Sequence, residues 1–426
     1  MIKRFDSSQQ TITEILQRQS HGTQNVVAET TAILETVQRE GDQALRHFTK
    51  RFDGHPLVDV AYPPEKIAAA INEIAPELAA VLKQAKVNIS RFHQQQLQQG
   101  FIQSQPGQVM GQQIIPLRRV GVYVPGGTAA YPSTVLMTVL PALIAGVEEI
   151  VMVTPANAQG EITPAVLVAA HLAGITEIYP IGGAQAIAAL TYGTETIRPV
   201  DKIVGPGNIY VATAKKLVNG IVGIDTIAGP SDVLIVADHT ADPSWLAADL
   251  LAQAEHDIQA QAILVTPEAA LIDQVANALE EQVAALPRQT IAEQSLINHG
   301  KLILVRDLSE AMAIANQIAP EHLELAVADP FALLGFVRNA GSTFLGHHTP
   351  EVLGDYLAGP NHTLPTEGTA RFSSGLSVQD FVKRCSYLYY SPEAAAAVCD
   401  SVIQFAEAEG LSGHARSMAV RKERGA

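Results

Sequence analysis

Val120-Gly-Val-Tyr-Val-Pro-Gly-Gly127 opens the stretch whose reading decides the fold. A short run rich in β-branched and aromatic residues ends in a Pro-Gly-Gly turn, the composition of a strand closed by a loop. The pattern recurs downstream. Ile150 to Val153, Glu177 to Pro180, Lys202 to Val204 and Val233 to Val236 are further short apolar runs. Between them lie Ala-rich stretches of helical length: Pro132 to Ala145, Pro164 to Ala173, Ala184 to Tyr192 and Tyr210 to Val218. Strand–helix alternation at this rhythm predicts a parallel sheet with helices on its faces. Gly and Pro collect after the strands, in Pro125-Gly-Gly127, Gly182-Gly183 and Gly205-Pro-Gly207. Ligands bind at the carboxyl ends of such strands.

Outward from this stretch, a second α/β rhythm runs from Trp245 to Leu345. Its strands are expected near Ala262 to Val265, Gly300 to Val305, Leu323 to Ala326 and Ser342 to Leu345. Residues 26–99 read as helical, with Ile67, Ile71, Ile74, Leu78, Val81 and Leu82 at helical spacing. Residues 1–20 form a polar arm, and from Ser377 the chain reads as strand, helix, then loop. The expected class is α/β: two parallel-sheet Rossmann-like domains of related rhythm, with a small N-terminal arm and a small C-terminal domain. The Gly-x-Gly-x-x-Gly dinucleotide fingerprint is absent, because Tyr210 stands where the third Gly would follow Gly205 and Gly207.

Bulk properties exclude several classes. At 426 residues the chain has room for more than one domain. A net charge of -15 argues against a nucleic-acid partner, which needs clustered Lys and Arg. The longest apolar run, Val135 to Val147, contains Thr138 and Pro141 and is too short to span a bilayer. No apolar core follows the basic residues of the N-terminus, so no signal peptide is expected there. Cys385 and Cys399 form no metal-type pair, and such low cysteine usage suits a reducing, cytoplasmic setting.

Four segments carry chemistry. Gly354-Asp-Tyr-Leu-Ala-Gly-Pro-Asn-His-Thr-Leu-Pro-Thr366 packs Asp355, Asn361 and His362 between Gly and Pro residues that break helices, and reads as an ordered loop. Asp249 to Asp257 closes a helix that Asp242 caps and Pro243 begins, which places Gln253 and His256 on one face. Ile318-Ala-Pro-Glu-His-Leu-Glu-Leu325 sets Glu321 beside His322 at a helix-to-strand junction, two proton-transfer groups of different pKa. After a helix from about Pro392, which Gly410 stops, His414 falls in a Gly-flanked loop. Gln253, His256, Asp355 and His414 together make an N/O donor set of the kind that suits zinc or manganese. Spacing alone does not show that they converge.

These residues resemble the histidinol dehydrogenase family. The resemblance is carried by Val120 to Gly127, Pro132-Ser-Thr-Val-Leu-Met137, Ile181-Gly-Gly-Ala-Gln-Ala-Ile187, Val204-Gly-Pro-Gly-Asn208 and Ala228-Gly-Pro-Ser-Asp232. It continues through Gln253-Ala-Glu-His256, Ala319-Pro-Glu-His-Leu323, Gly354-Asp355, Asn361-His-Thr-Leu-Pro365 and Gly413-His414, in the family's order. It implies the four-electron oxidation of L-histidinol to L-histidine through bound L-histidinal, with zinc and two NAD+, in the last steps of histidine biosynthesis. Zinc would be held by Gln253, His256, Asp355 and His414. His322 would be the base and Glu321 the group that activates water. The substrate would meet Ser231, His362 and Glu409 besides His322 and the zinc ligands, and NAD+ would face Tyr123, Gln185 and Asn208. The resemblance also implies a homodimer with His414 supplied in trans.

The expected division of the chain follows. Residues 1–20 are the arm. Residues 21–119 plus 233–375 form a main α/β domain with the metal and catalytic residues. Residues 120–232 are an inserted NAD-facing domain, and 376–426 a dimer-contact segment. Two rival readings stand beside this one. A zinc hydrolase would use the same ligands with Glu321 as base, and would not need the three Gly-rich loops of residues 120–210. A non-catalytic binding protein would leave Glu321 and His322 idle.

Overall fold

The computed structural model describes residues 2–10, 14, 24–126, 130–227 and 229–424. Gly127, Ala228 and half of the 1–20 arm lie outside the described residues. Two parallel sheets form the α/β frame. The first has five strands in the order Glu177–Tyr179, Glu149–Val153, Arg119–Tyr123, Lys202–Val204, Gly223–Ile224. Their neighbours pair in parallel throughout. Helices Pro132–Ala145, Pro164–Leu172, Gly183–Tyr192 and Ile209–Val218 cross over between them, as the alternation predicts.

The second sheet has six parallel strands, Lys3–Asp6, Lys301–Leu304, Gln261–Thr266, Asp232–Ala237, His322–Ala326 and Ser342–Leu345 in spatial order. The N-terminal arm thus contributes an edge strand, Lys3 pairing with Lys301 and Asp6 with Leu304. In both sheets the central strands are buried along their whole length, which is why they read as continuous apolar runs rather than alternating ones.

Two features differ from the sequence reading. The helices of residues 24–94 were grouped with residues 233–375, yet their apolar faces close on the five-stranded sheet. Ile33, Leu34, Val37, Leu45 and Phe48 pack with Val151, Ile187 and Leu190, and Ile67, Leu82 and Ile89 pack with Val120, Leu136 and Met152. A third sheet was also missed. Phe101–Gln105 and Gln108–Pro116 form a hairpin, and Val382–Tyr390 adds to it antiparallel. Beyond it, helices Pro392–Ala408 and Ser412–Arg424 pack on each other. Both cysteines are free thiols. No described helix is long and apolar enough to cross a membrane.

Candidate active site

The site is built around the start of strand His322–Ala326. Helix Leu308–Ile318 ends at Ala319, which takes the left-handed conformation (φ 52°) because Pro320 follows and cannot continue the helix. The chain turns and delivers Glu321 and His322 to the amino end of the strand, both buried. Asp232, first residue of the neighbouring strand, pins this turn from the other side. Its amide donates to Glu321 Oε2 (3.1 Å), and Glu321's amide donates to Asp232 Oδ1 (2.8 Å). The reciprocal pair fixes the Glu321 carboxylate beside the imidazole.

His322 is ringed by acid. Nδ1 lies 3.5 Å from Glu351 Oε2, 3.8 Å from Glu321 Oε2 and 3.3 Å from the carbonyl of Asp232, and Nε2 lies 3.4 Å from Asp355 Oδ1. Burial works against charging the ring, but Glu321, Glu351 and Asp355 outweigh it and hold His322 well above the ordinary imidazole value. Burial pushes Glu321 up to about 7 and raises Glu351 well above the usual carboxylate range, despite the nearby imidazole. Asp355 goes the other way. Burial raises it, yet His322, His362 and His256 together bring it below its usual value.

Asp355 stands on a helical turn, not on the expected loop. Helix Glu351–Leu353 runs directly into a single π-turn, Gly354–Ala358, before Gly359 and Pro360 stop it. Asn361 to Pro365 is irregular, as expected. Asn361 Nδ2 donates to the carbonyl of Met137 (2.6 Å), and His362 Nε2 meets Thr134 Oγ1 (3.3 Å). Both partners belong to helix Pro132–Ala145. The segment therefore seals the seam between the two α/β units. His362 Nδ1 lies 3.0 Å from the carbonyl of Asp355, and burial keeps its ring below the ordinary value.

Gln253 is buried near the end of helix Pro243–Ala254, which Asp242 caps as expected by accepting from Ser244 and Trp245. His256 lies two residues beyond that helix rather than within it, on a turn held by its amide donating to the Gln253 carbonyl (3.2 Å). It is largely exposed, but enough protein surrounds its ring that desolvation keeps it below the ordinary value against the pull of Asp355. Ser231 immediately precedes Asp232.

The C-terminal residues were read differently. His414 lies within helix Ser412–Arg424, not in a loop, and Glu409 caps the preceding helix. Both are exposed. Among the described residues of one chain, no three His, Cys, Asp or Glu side chains gather to hold a metal. Gln253, His256 and Asp355 still offer an amide oxygen, an imidazole nitrogen and a carboxylate, and His256 and Asp355 feel each other's charge. That donor chemistry fits zinc, with one ligand left to come from elsewhere.

The second component is a cleft of about 1080 Å³ at the carboxyl ends of the five-stranded sheet. Tyr123, Gln185 and Asn208 all line it. Tyr123 ends a strand, and its hydroxyl, pushed up to about 12 by burial, accepts from the Gly183 amide (3.1 Å) at the start of a helix. Asn208 caps the next helix through Oδ1. Gly205 between them has φ 115°, and a Cβ there would overlap the carbonyl of Tyr123. Two helix starts and a polar, roomy floor fit a dinucleotide with its pyrophosphate.

Asp232 and Glu351 were missed as site residues. Asp232 gave one signal, a charge opening an otherwise apolar strand. Glu351 gave none, since Thr-Pro-Glu reads as an ordinary helix start.

Comparison with known proteins sets this geometry in a class. A family model described as histidinol dehydrogenase matches residues 16–422. The chain is 54% identical to a histidinol dehydrogenase of Rhizobium meliloti over 401 residues, covering 93% of this chain and 92% of that one. It is 50% identical to that of Streptococcus mutans over 429 residues, 99% and 100% of the two chains. The crystal structure of histidinol dehydrogenase from Elizabethkingia anophelis superposes with a TM-score of 0.92 at 38% identity, over 99% of this chain and 98% of that one. These likenesses define an α/β oxidoreductase. The chain belongs to the histidinol dehydrogenase family, which sets aside both the hydrolase and the non-catalytic reading.

Proposed function

We propose that the protein oxidises L-histidinol to L-histidine through bound L-histidinal, using zinc and two NAD+, in the last steps of histidine biosynthesis. The observation that carries this reading is a buried imidazole, His322, held between Glu321, Glu351 and Asp355, in a chain that belongs to the histidinol dehydrogenase family and carries a dinucleotide-sized cleft on its five-stranded sheet. When bound, zinc supplies a Lewis-acidic anchor for the substrate's amine and imidazole, and NAD+ accepts hydride. Gln253, His256 and Asp355 would hold the metal, with His414 from a second copy as fourth ligand.

The chain's own groups do the proton chemistry. Starting from its neutral form, His322 takes the alcohol proton as hydride leaves, and the carboxylates that raise its proton affinity stabilise the imidazolium that results. Glu321, lifted to about 7, is poised near neutrality to take a proton from the water that hydrates the aldehyde. The hydrate is an alcohol again, and His322, once it has released its first proton to solvent, serves a second time. His362 is anchored by its Nδ1 contact to the Asp355 carbonyl, and with Ser231 and Glu409 it contacts the substrate. The setting is cytoplasmic, and the working unit is a homodimer.

Incubation of the purified protein with L-histidinol and NAD+ tests the reading. We expect absorbance of NADH to rise with two equivalents formed per histidine, and about one zinc per chain by elemental analysis. His256→Asn should lower zinc content and turnover together. Zinc-loaded protein that forms no NADH from histidinol would sink the reading.

A further inference from the structure

The dinucleotide-sized cleft has a second wall. It is built by helices Gln24–Glu40 and Asp42–Phe52, which close on the five-stranded sheet. Asp53 stands at the carboxyl end of the second helix, its amide donating to the Thr49 carbonyl (2.8 Å), and lines the cleft. Its Oδ2 is buried and has no hydrogen-bond partner. A carboxylate with one oxygen unpartnered at a helix carboxyl end is unfavourable twice over: burial raises its proton affinity, and the helix dipole is negative there. His55 eases this only in part. The other acids on this wall are engaged, Glu29 by the Tyr210 hydroxyl (3.0 Å) and Glu40 by Arg39 (2.6 Å). Across the cleft, Asp53 is near enough to Tyr123 for its charge to be felt by the phenol.

An acid on the wall of a cleft, with one oxygen left without a donor, calls for a ligand that brings hydroxyls. A ribose offers two adjacent ones, and parallel-sheet dinucleotide sites commonly meet them with a carboxylate. We infer that Asp53 accepts hydrogen bonds from a ribose diol of the dinucleotide and sets the preference for NAD+ over its 2′-phosphorylated form. This rests on the NAD+ reading above. A 2′-phosphate would replace a donor by a dianion and set it against the carboxylate. Arg51, on the same wall and over the Phe52 ring at 5.1 Å, is the cation positioned to favour phosphate instead.

Calorimetric titration of the zinc-loaded protein with NAD+ and with NADP+, without substrate, tests the assignment. Asn is close to Asp in shape and caps a helix end as well, so Asp53→Asn should keep the fold, checked by thermal unfolding. We expect it to weaken NAD+ binding about tenfold to a hundredfold, the worth of a hydrogen bond to a charged acceptor. It should leave NADP+ binding equal or stronger, and leave histidinol binding unchanged. Arg51→Gln should weaken NADP+ more than NAD+. Unaltered NAD+ affinity in Asp53→Asn would overturn the role of Asp53. So would a tenfold loss for both dinucleotides, which would mark a merely structural residue. Should the unaltered protein bind neither dinucleotide, the NAD+ reading itself falls, and this inference with it.

Discussion

At the scale of single residues, the site works by placing one imidazole where three carboxylates can reach it. The Glu321 carboxylate accepts from the amide of Asp232, and the Glu351 amide donates to Glu324 Oε1 (2.6 Å). His322→Asn should leave zinc content and histidinol binding nearly intact and cut turnover by about 10²–10⁴, the range for a lost general base. Glu321→Gln should slow oxidation of added histidinal more than the first hydride transfer, and equal slowing of both in single-turnover experiments would refute that division of labour. The acids also leave a mark on stability. Burial lifts Glu324 to about 8 and Asp249, its carboxyl neighbour, to about 6. Both values lie above those of the unfolded chain, so between about pH 4.5 and 8 the folded state binds more protons and stability falls as pH rises. Gln cannot ionise. Glu324→Gln should therefore be more stable than the unaltered protein at pH 8 and no more stable at pH 5. Thermal unfolding at the two pH values checks this, and an unchanged pH slope would show that Glu324 does not titrate in that window.

At the scale of elements, the legible parts were those whose partners are near in sequence. Pro132–Ala145 has the bounds its apolar run suggests, and Asp242 with Pro243 announces the helix that carries Gln253. The small sheet was illegible because Phe101–Gln105 is exposed on both faces and shows no alternation, while the third strand of its sheet begins at Val382. The terminal helix was hidden by its neighbours. Gly410, at φ 74°, ends one helix and Ser412 starts the next almost at once, so a three-residue turn looked like a Gly-rich loop. The turn at Gly354 misled for a related reason. Glycine argues against a helix on propensity, but here its missing side chain is what the packing needs. A Cβ on Gly354 would come within 2.6 Å of Phe344 Cε1. The Phe344 ring in turn packs against His322, centroids 5.9 Å apart. Gly354→Ala should push that ring onto the imidazole, cutting turnover at least about tenfold and costing about 1–3 kcal/mol of stability, as overpacking does. Phe344→Leu added to it should recover part of both. Full activity in the single variant would mean that the ring moves away without disturbing His322.

At the scale of the molecule, one chain leaves its C-terminal segment uncovered. Leu388 is 73% exposed and Phe405 70%, with Tyr389, Phe101 and Ile102 also open to solvent around the small sheet. Exposed large apolar side chains on one small sheet and its helix suit a protein–protein contact, and identical chains most often close such a contact as a two-fold dimer. The same segment carries His414, which the single chain does not bring to His256 and Asp355 as a metal-holding group. A swap of C-terminal segments would cover the apolar face and complete the ligand set in one step. Mixing provides the test. In a dimer of one His414→Asn chain and one His322→Asn chain, a site built across subunits would find both native residues once and neither once. Random reassembly makes half of the dimers mixed, so inactive parents should regain about a quarter of normal turnover. If subunit exchange is demonstrated and no activity returns, His414 serves its own chain, and the terminal helices would have to fold back onto the site they flank.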